Sequence, residues 1–520
     1  MATPRERFVE ALTFLKSLQD RGTVGIHTED IPNSKHRQLL VKNGFIREVT
    51  KGWYIATDPN EIDGETTAWY SSYWEFIARF LQRKYGDHWC LSADQSLLLH
   101  AGNWTVPQQL LVRSPDGNNK PTPLPYNTSL FNLKTRIPTA EQIVIEKGIR
   151  MYNLQASLIY AGASVYTRNA IDTRTALSLI RNASELLPVL LENGHTTLAG
   201  RLAGAFRNMG RDKIADQIMD TFKQADYDIR EEDPFDTRLE LKLPAREHSP
   251  YANRIRLMWT RMREEVISNF PKAPGIQADH EAFMKDVDDI YLADAYHSLS
   301  IERYRVTPEL IAKVSSGRWN TEESEEDRKQ RDAMAARGYY QAFQSVKESI
   351  KAILEGGNPA VQADKDHSKW YRQLFDPSVT AGLLKTSDLS GYRNHQVYIG
   401  NSKHVPLHVD AMRDTMPVLF ELLEEEPEAS VRAVLGHFIF VFIHPYMDGN
   451  GRMGRFLMNV MLASGGYPWT VIPVESRDEY MQALEKASVE QDLKPFTAFI
   501  SRLVNDRLQG KPVAALPGAK

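Results

Sequence analysis

HPYMDGNGRMGR, residues 444–455, decides how the rest of the chain is read. The stretch before it, VRAVLGHFIFVFI (431–443), is apolar nearly all round, which predicts a buried helix. Pro445 disfavours helix at the residue before it, so that helix should stop near His444. An imidazole held at the mouth of a loop by a rigid element suits a general base at neutral pH, its unperturbed pKa being ~6.5. Gly449 and Gly451 permit positive φ and close approach of backbone to a ligand. Successive N–H groups there can form an anion nest. A second helix is expected to begin around Arg452, adding its positive N-terminal end. Arg452 and Arg455, at i and i+3, share roughly one face and can both point at phosphate oxygens. Asp448 is a hard oxygen ligand beside the nest, suited to Mg²⁺ carried by a nucleotide. No GxxxxGK[ST] P-loop occurs in the chain.

This stretch resembles the Fic family signature, HPFx[DN]GNGRxxR, with Tyr446 in place of Phe. The resemblance implies transfer of AMP from ATP to a hydroxyl side chain of a target protein or of the chain itself. By it, His444 deprotonates the hydroxyl, Asp448 holds Mg²⁺, Gly449, Asn450 and Gly451 bind the phosphates, and Arg452 and Arg455 hold the triphosphate. Gly451 stands where the phosphoryl-transferring Doc branch has Lys. GYRNHQVYIGNSKHVP (391–406) resembles the segment carrying the Fic flap, a β-hairpin that lines up the target by strand pairing; Val397, Tyr398 and Ile399 suit that role. GRFLMNVMLASGGYP (454–468) and SRDEYMQALEKAS (476–488) resemble the helices after the signature, which makes Asn459 and Tyr480 candidates for the adenine side. SLSIERYRVT (298–307) resembles the inhibitory motif [ST]xxxE[GN], with Ser298 and Glu302 at its two main positions. In the family that glutamate pairs with the second arginine of the signature, here Arg455, which then cannot clamp the γ-phosphate well. Arg303 and Tyr304 depart from the usual Gly-Asn. In some relatives the same glutamate supports removal of AMP.

The bulk composition is compatible with this reading. Over 520 residues, 42% are hydrophobic and 25% charged, and the formal net charge is −4. That balance makes no global case for nucleic acid or membrane. Cys90 is the single cysteine, so neither a disulfide framework nor a cysteine metal site is expected. No apolar run approaches the ~20 residues of a membrane span, and a cytoplasmic protein is expected.

The first 60 residues resemble the winged helix of AbiE-type antitoxin regulators through LLVKNGFIREVTKGWYI (39–55). Residues 1–52 hold nine Lys/Arg and six Asp/Glu, about +3. Lys35, Arg37 and Lys42 on the second helix, with Arg47 and Lys51 near the wing, are candidate DNA contacts. The expected fold is mainly α: an all-helical Fic core with a β-hairpin flap, preceded by a helical middle region and an N-terminal winged helix. The expected boundaries are a winged helix-turn-helix at 1–60, a small α/β extension at 61–137, a helical middle domain at 138–245, and a linker with a connecting helix at 246–284. The Fic domain follows at 285–509 and a loose tail at 510–520. Two function classes result: a self-inhibited protein adenylyltransferase, in which a homodimer is compatible with the family, and a DNA-binding regulator whose Fic domain senses nucleotide with little turnover.

Overall fold

The computed structural model describes residues 3–61, 65–192, 194–238, 249–316, 331–511 and 514–517. Parts of the expected middle domain, linker and tail (239–248, 512–513 and 518–520) therefore lie outside the described residues. The chain separates into two compact units: residues 1–254 with 398–405, and residues 255–397 with 406–520.

The first unit opens with helix Pro4–Asp20, held at its start by a Thr3–Glu6 capping box. Strand β1 (Ile26–His27), helix Ser34–Lys42 capped by Asn33, and strands β2 (Ile46–Thr50) and β3 (Trp53–Ala56) follow. The three strands form an antiparallel sheet in the order β1-β3-β2. Its inner face, with Ile26 and Ile46, closes over Ala11, Leu15, Leu18 and Leu40.

Helix Thr67–Tyr85 contributes Trp69, Tyr73, Phe76 and Ile77 to a second, strongly aromatic core. Beside it lies a four-stranded sheet in the order β4-β5-β7-β6, from β4 (Cys90–Leu91), β5 (Gln109–Ser114), β6 (Lys120–Leu124) and β7 (Thr128–Lys134). Strand β6 carries Pro121 and Pro123, which lack the N–H a central strand must donate, and it lies at the edge. A hairpin of β8 (Ile143–Glu146) and β9 (Ile149–Tyr152) precedes short helices packed around Leu177, Leu202, Phe206 and Ile218. Gly200 and Gly204 on helix Thr196–Asn208 let the chain cross closely: a Cβ on either would collide with the carbonyls of Arg230 and Glu232.

The second unit is helical. Helices Arg331–Leu354 and Pro359–Thr380 pack together, and helix Pro359–Thr380 also packs on helices Met412–Glu425 and Asn450–Ala463. Helix Ala429–Ile443 is buried at every position but Val441, the consequence of its all-round apolar sequence. Among the described residues no helix is long and apolar enough to cross a membrane.

The expected β-hairpin at 391–406 is not formed. Among the described residues no strand lies there: 396–399 run without a ladder into a turn at Gly400–Asn401. Gln396 Nε2 instead bridges to the carbonyls of Val397 (3.2 Å) and Pro406 (2.8 Å), so a side chain stands where a main-chain ladder was expected. Residues 398–405 belong to the first unit, where Lys403 O accepts from Val106 N (3.0 Å) and Asn401 Oδ1 from Thr66 N (3.0 Å).

Candidate functional site

Helix Ala429–Ile443 ends as the Pro445 rule requires, and His444 takes a left-handed conformation (φ 57°, ψ 59°) as its C-cap. A β-carbon in that region costs energy, so contacts must hold it there. One is local: His444 Nδ1 lies 3.1 Å from Val441 O. That carbonyl can only accept, so Nδ1 carries the proton and Nε2 keeps its lone pair. Burial lowers the imidazole to about 4, with the Arg393 charge adding to the effect against the Val441 hydrogen bond. The ring is thus neutral at pH 7 and able to take a proton.

The loop after His444 is held by its own residues. Asn450 Oδ1 accepts from Tyr446 N (2.9 Å) and Nδ2 donates to Tyr446 O (2.8 Å). The Tyr446 ring stacks on Tyr371 with centroids 3.7 Å apart. Asn450 therefore helps fix the shape of the loop, with one of its two amide N–H groups and its carbonyl oxygen engaged by Tyr446. Gly449 takes φ 77° and caps helix Asn450–Ala463, which starts two residues earlier than expected. A Cβ on Gly449 would lie 3.1 Å from Phe375 Cε2 and 3.3 Å from Arg452 Nη2.

Both arginines of the motif rise from this helix and are buried, at 1% and 3% exposure. The Arg452 guanidinium lies 5.2 Å from the ring centroids of both Tyr304 and Phe375 and 3.6 Å from Asp448 Oδ2. Arg455 Nε donates to Ser298 Oγ (2.8 Å), and Nη2 donates to Ser298 O (3.0 Å) and Glu302 Oε1 (2.8 Å). Burial alone would raise the Glu302 carboxyl, but Arg455 and Arg452 outweigh it and hold the carboxyl below its usual range. A Cβ on Gly451 would collide with Glu302 Oε1, so this carboxylate rests directly over the glycine nest. Arg452 Nε and Arg455 Nη1 are buried and find no hydrogen-bond partner among the described residues.

Glu302 and Ser298 reach Arg455 because helix His280–Ile301 ends just there. The chain leaves it through a Schellman turn: Arg303 N donates to Ser300 O (2.9 Å) and Tyr304 N to Leu299 O (3.1 Å). Arg303 takes φ 65°, the glycine-favouring conformation of that turn. One helical turn before Ser298, Asp294 is buried and accepts from Tyr339 Oη (2.6 Å). Burial pushes its carboxyl up to about 6.

The other expected positions fall differently. Asn459 is buried and bonds Arg455 O (3.2 Å), Thr470 O (3.1 Å) and Thr470 N (2.7 Å), while Tyr480 is buried with its hydroxyl 2.8 Å from His437 Nε2. Both polar ends serve the framework, not an open adenine-facing surface. Asp448 is exposed and pairs with Arg452; among the described residues no cluster of three metal-ligating side chains occurs. One carboxylate beside an anion nest fits a Mg²⁺ that arrives on a nucleotide and keeps most of its ligands from phosphate and water. In the first unit, Lys35, Lys42 and Lys51 are exposed and Arg37 is half-buried. Arg47 is not free for DNA: its guanidinium bonds Glu61 (2.7 Å) and Tyr126 (2.5 Å). Tyr304 and Phe375 were not foreseen; the departure from Asn at 304 was the one signal.

Residues 365–462 match the Fic/DOC family. The protein adenylyltransferase Fic of Drosophila willistoni is 39% identical over 114 residues, 21% of this chain and 22% of that protein. The protein adenylyltransferase fic-1 of Caenorhabditis elegans is 31% identical over 131 residues, 24% of this chain and 23% of that protein. The chain thus spans under a quarter of the length of these relatives. A solved structure of Fic-1 from C. elegans aligns with 67% of this chain and 97% of its own at 17% identity and TM-score 0.35. The stretch that holds the whole loop from His444 to Arg455 is therefore a Fic/DOC family domain, residues 365–462.

Proposed function

We propose that the chain is a protein adenylyltransferase that moves AMP from ATP to a hydroxyl of a target protein or of itself. One observation carries the reading: a neutral imidazole with a free Nε2 stands at the start of a loop that ends in two buried guanidiniums with unused donors. Unused buried N–H groups of a cation cost energy unless an anion meets them. Phosphates of ATP at the N-terminal end of helix Asn450–Ala463 are that anion. His444 removes the proton from the attacking hydroxyl, and its oxygen displaces pyrophosphate at the α-phosphorus. Arg452 and Arg455 stabilise the charge that develops on the phosphates. Asp448 would hold Mg²⁺, which when bound screens the phosphate oxygens.

The resting chain inhibits itself in this reading. The Glu302 carboxylate rests over Gly451 and engages Arg455, so ATP and Glu302 compete for one guanidinium and one nest. The same carboxylate, released from Arg455, is the group able to activate water for AMP removal. Incubation with ATP labelled at the α- or the γ-phosphate tests the activity. Covalent label from the α position alone supports it; label from the γ position, or none in a chain carrying Glu302→Gly, overturns it.

A further inference from the structure

We propose that Arg393 is a positioning residue that ties both ends of the loop 395–407 to the backbone of His444, so that one buried cation sets the acceptor segment against the general base. The proposal rests on the AMP-transfer reading. Arg393 is 4% exposed and bonds four carbonyls. Its main-chain N–H donates to Pro445 O (2.8 Å) and Nε to His444 O (2.8 Å). Nη1 donates to His395 O (3.0 Å) at the start of the loop, and Nη2 to Leu407 O at its end. Among the described residues no carboxylate lies within ion-pair distance of it. A buried cation without a counter-charge is costly, and here burial lowers the guanidinium to about 10. Stability alone is poorly served by such a residue, whereas geometry is well served. The guanidinium is a rigid planar fork, so its bonds fix three carbonyls at set directions. One of them belongs to His444, whose left-handed backbone needs just such a restraint.

Gln396 is a second clasp. Its Nε2 spans from Val397 O to Pro406 O, between the arms that Arg393 joins. The arms thus have no ladder, and side chains set their separation. Arg393 reaches both the arms and His444; Gln396 reaches the arms alone. The two residues should therefore separate kinetically. Loss of Arg393 misplaces the base and lowers kcat, and loss of Gln396 loosens the acceptor segment and raises its KM.

The test uses the full chain with Glu302→Gly as parent and a His444→Ala copy as acceptor, followed by label from α-labelled ATP. Arg393→Lys keeps the charge but cannot span three carbonyls; it should lower kcat at least about tenfold while the Kd for ATP changes less than about twofold. Gln396→Leu should raise the KM for the acceptor copy severalfold and hold kcat within about twofold. Parental kcat in Arg393→Lys, or loss of ATP binding in the same proportion as kcat, overturns the proposal. If the parent itself transfers no label, the AMP-transfer reading fails first. Arg393 is then judged by nitrogen NMR of the His444 imidazole, assigned by its absence in His444→Ala. A changed titration midpoint in Arg393→Gln supports the link, and an unchanged one overturns it.

Discussion

Two loops of the chain are built in opposite ways. The loop after His444 carries its own network, in which Asn450 bonds both main-chain groups of Tyr446, Asp448 accepts from Gly449 N (2.6 Å) and His444 reaches back to Val441, with Arg393 and Tyr371 bracing it from outside. The arms around residue 400 have only short-range bonds of their own, such as Ser402 N to Ile399 O (3.2 Å) and His404 N to Ser402 Oγ (3.0 Å). They are closed by Arg393 and Gln396 and continue, at Tyr398–Val405, into the first unit. In the proposed reaction the first loop would carry the chemistry. In the same proposal the second would meet the acceptor, and its shape depends in part on partners distant in the chain.

The largest break in this comparison is chemical. His444→Ala should leave both loops in place, since the ring is half-buried and its one hydrogen bond is to a main-chain carbonyl. It should lower AMP transfer by about 10²–10⁴-fold, the contribution of a positioned general base, read as label from α-labelled ATP with the melting temperature unchanged. Transfer retained within tenfold would remove His444 from its role. Next in size is Glu302→Gly. The charge-assisted bonds to Arg455 are worth about 1.5–3 kcal/mol, so freeing that guanidinium should raise transfer about 10- to 100-fold. Equal labelling by the parent and the variant would show that Arg303 and Tyr304 have abolished the inhibition that the glutamate provides.

A pH profile sharpens the contrast further. His444 must be neutral to accept a proton, and burial lowers it to about 4. Transfer by Glu302→Gly should therefore stay level from about pH 8 to pH 5.5, where an ordinary imidazole would have lost most of its base form near ~6.5. A half-maximum near 6.5 would mean that the ring is solvated. Glu302 carries the opposite sign of consequence. Its carboxyl is held low by Arg455 and Arg452, so its bond to Arg455 is complete above the usual carboxylate range and is lost only as pH falls below it. The ratio of variant to parent activity should accordingly hold constant across the same window.

The contrast also explains what could be read in the sequence. The motif loop was legible because its internal hydrogen bonds close within four residues along the chain, so Pro445, Gly449 and Asn450 encode it locally, while its outside braces, Arg393 and Tyr371, were not. Glu302 was reached only through resemblance, since nothing near it in the chain points 153 positions ahead to Arg455. Asn459 and Tyr480 were read toward adenine, but their polar groups close on Thr470 and His437, partners that no periodicity reveals. The hairpin expected at 391–406 failed for the same reason. Resemblance to the Fic flap suggested a strand at Val397–Ile399, while the carbonyls of Pro406 and Leu407 are taken by Gln396 and Arg393. In the first unit β6, with two prolines, lies at an edge, where their missing N–H groups are tolerated.

The smallest expected effect lies at Arg303. The Schellman turn after Ile301 needs a left-handed residue, and a side chain there costs about 1 kcal/mol relative to glycine. Arg303 is exposed and takes φ 65°, so the strain has no evident contact to offset it. Arg303→Gly should then raise the melting temperature by about 2 °C and lower the residual labelling of the parent severalfold, because a steadier turn keeps Glu302 on Arg455 and Tyr304 beside Arg452. The two effects must appear together. A gain in melting temperature without loss of labelling would mean that the turn does not hold the carboxylate, and that the grip on Arg455 resides in Ser298 and Glu302 alone. A fall in melting temperature would show that the arginine side chain itself supports the turn, and the departure from glycine would then be part of how this chain keeps its own site occupied.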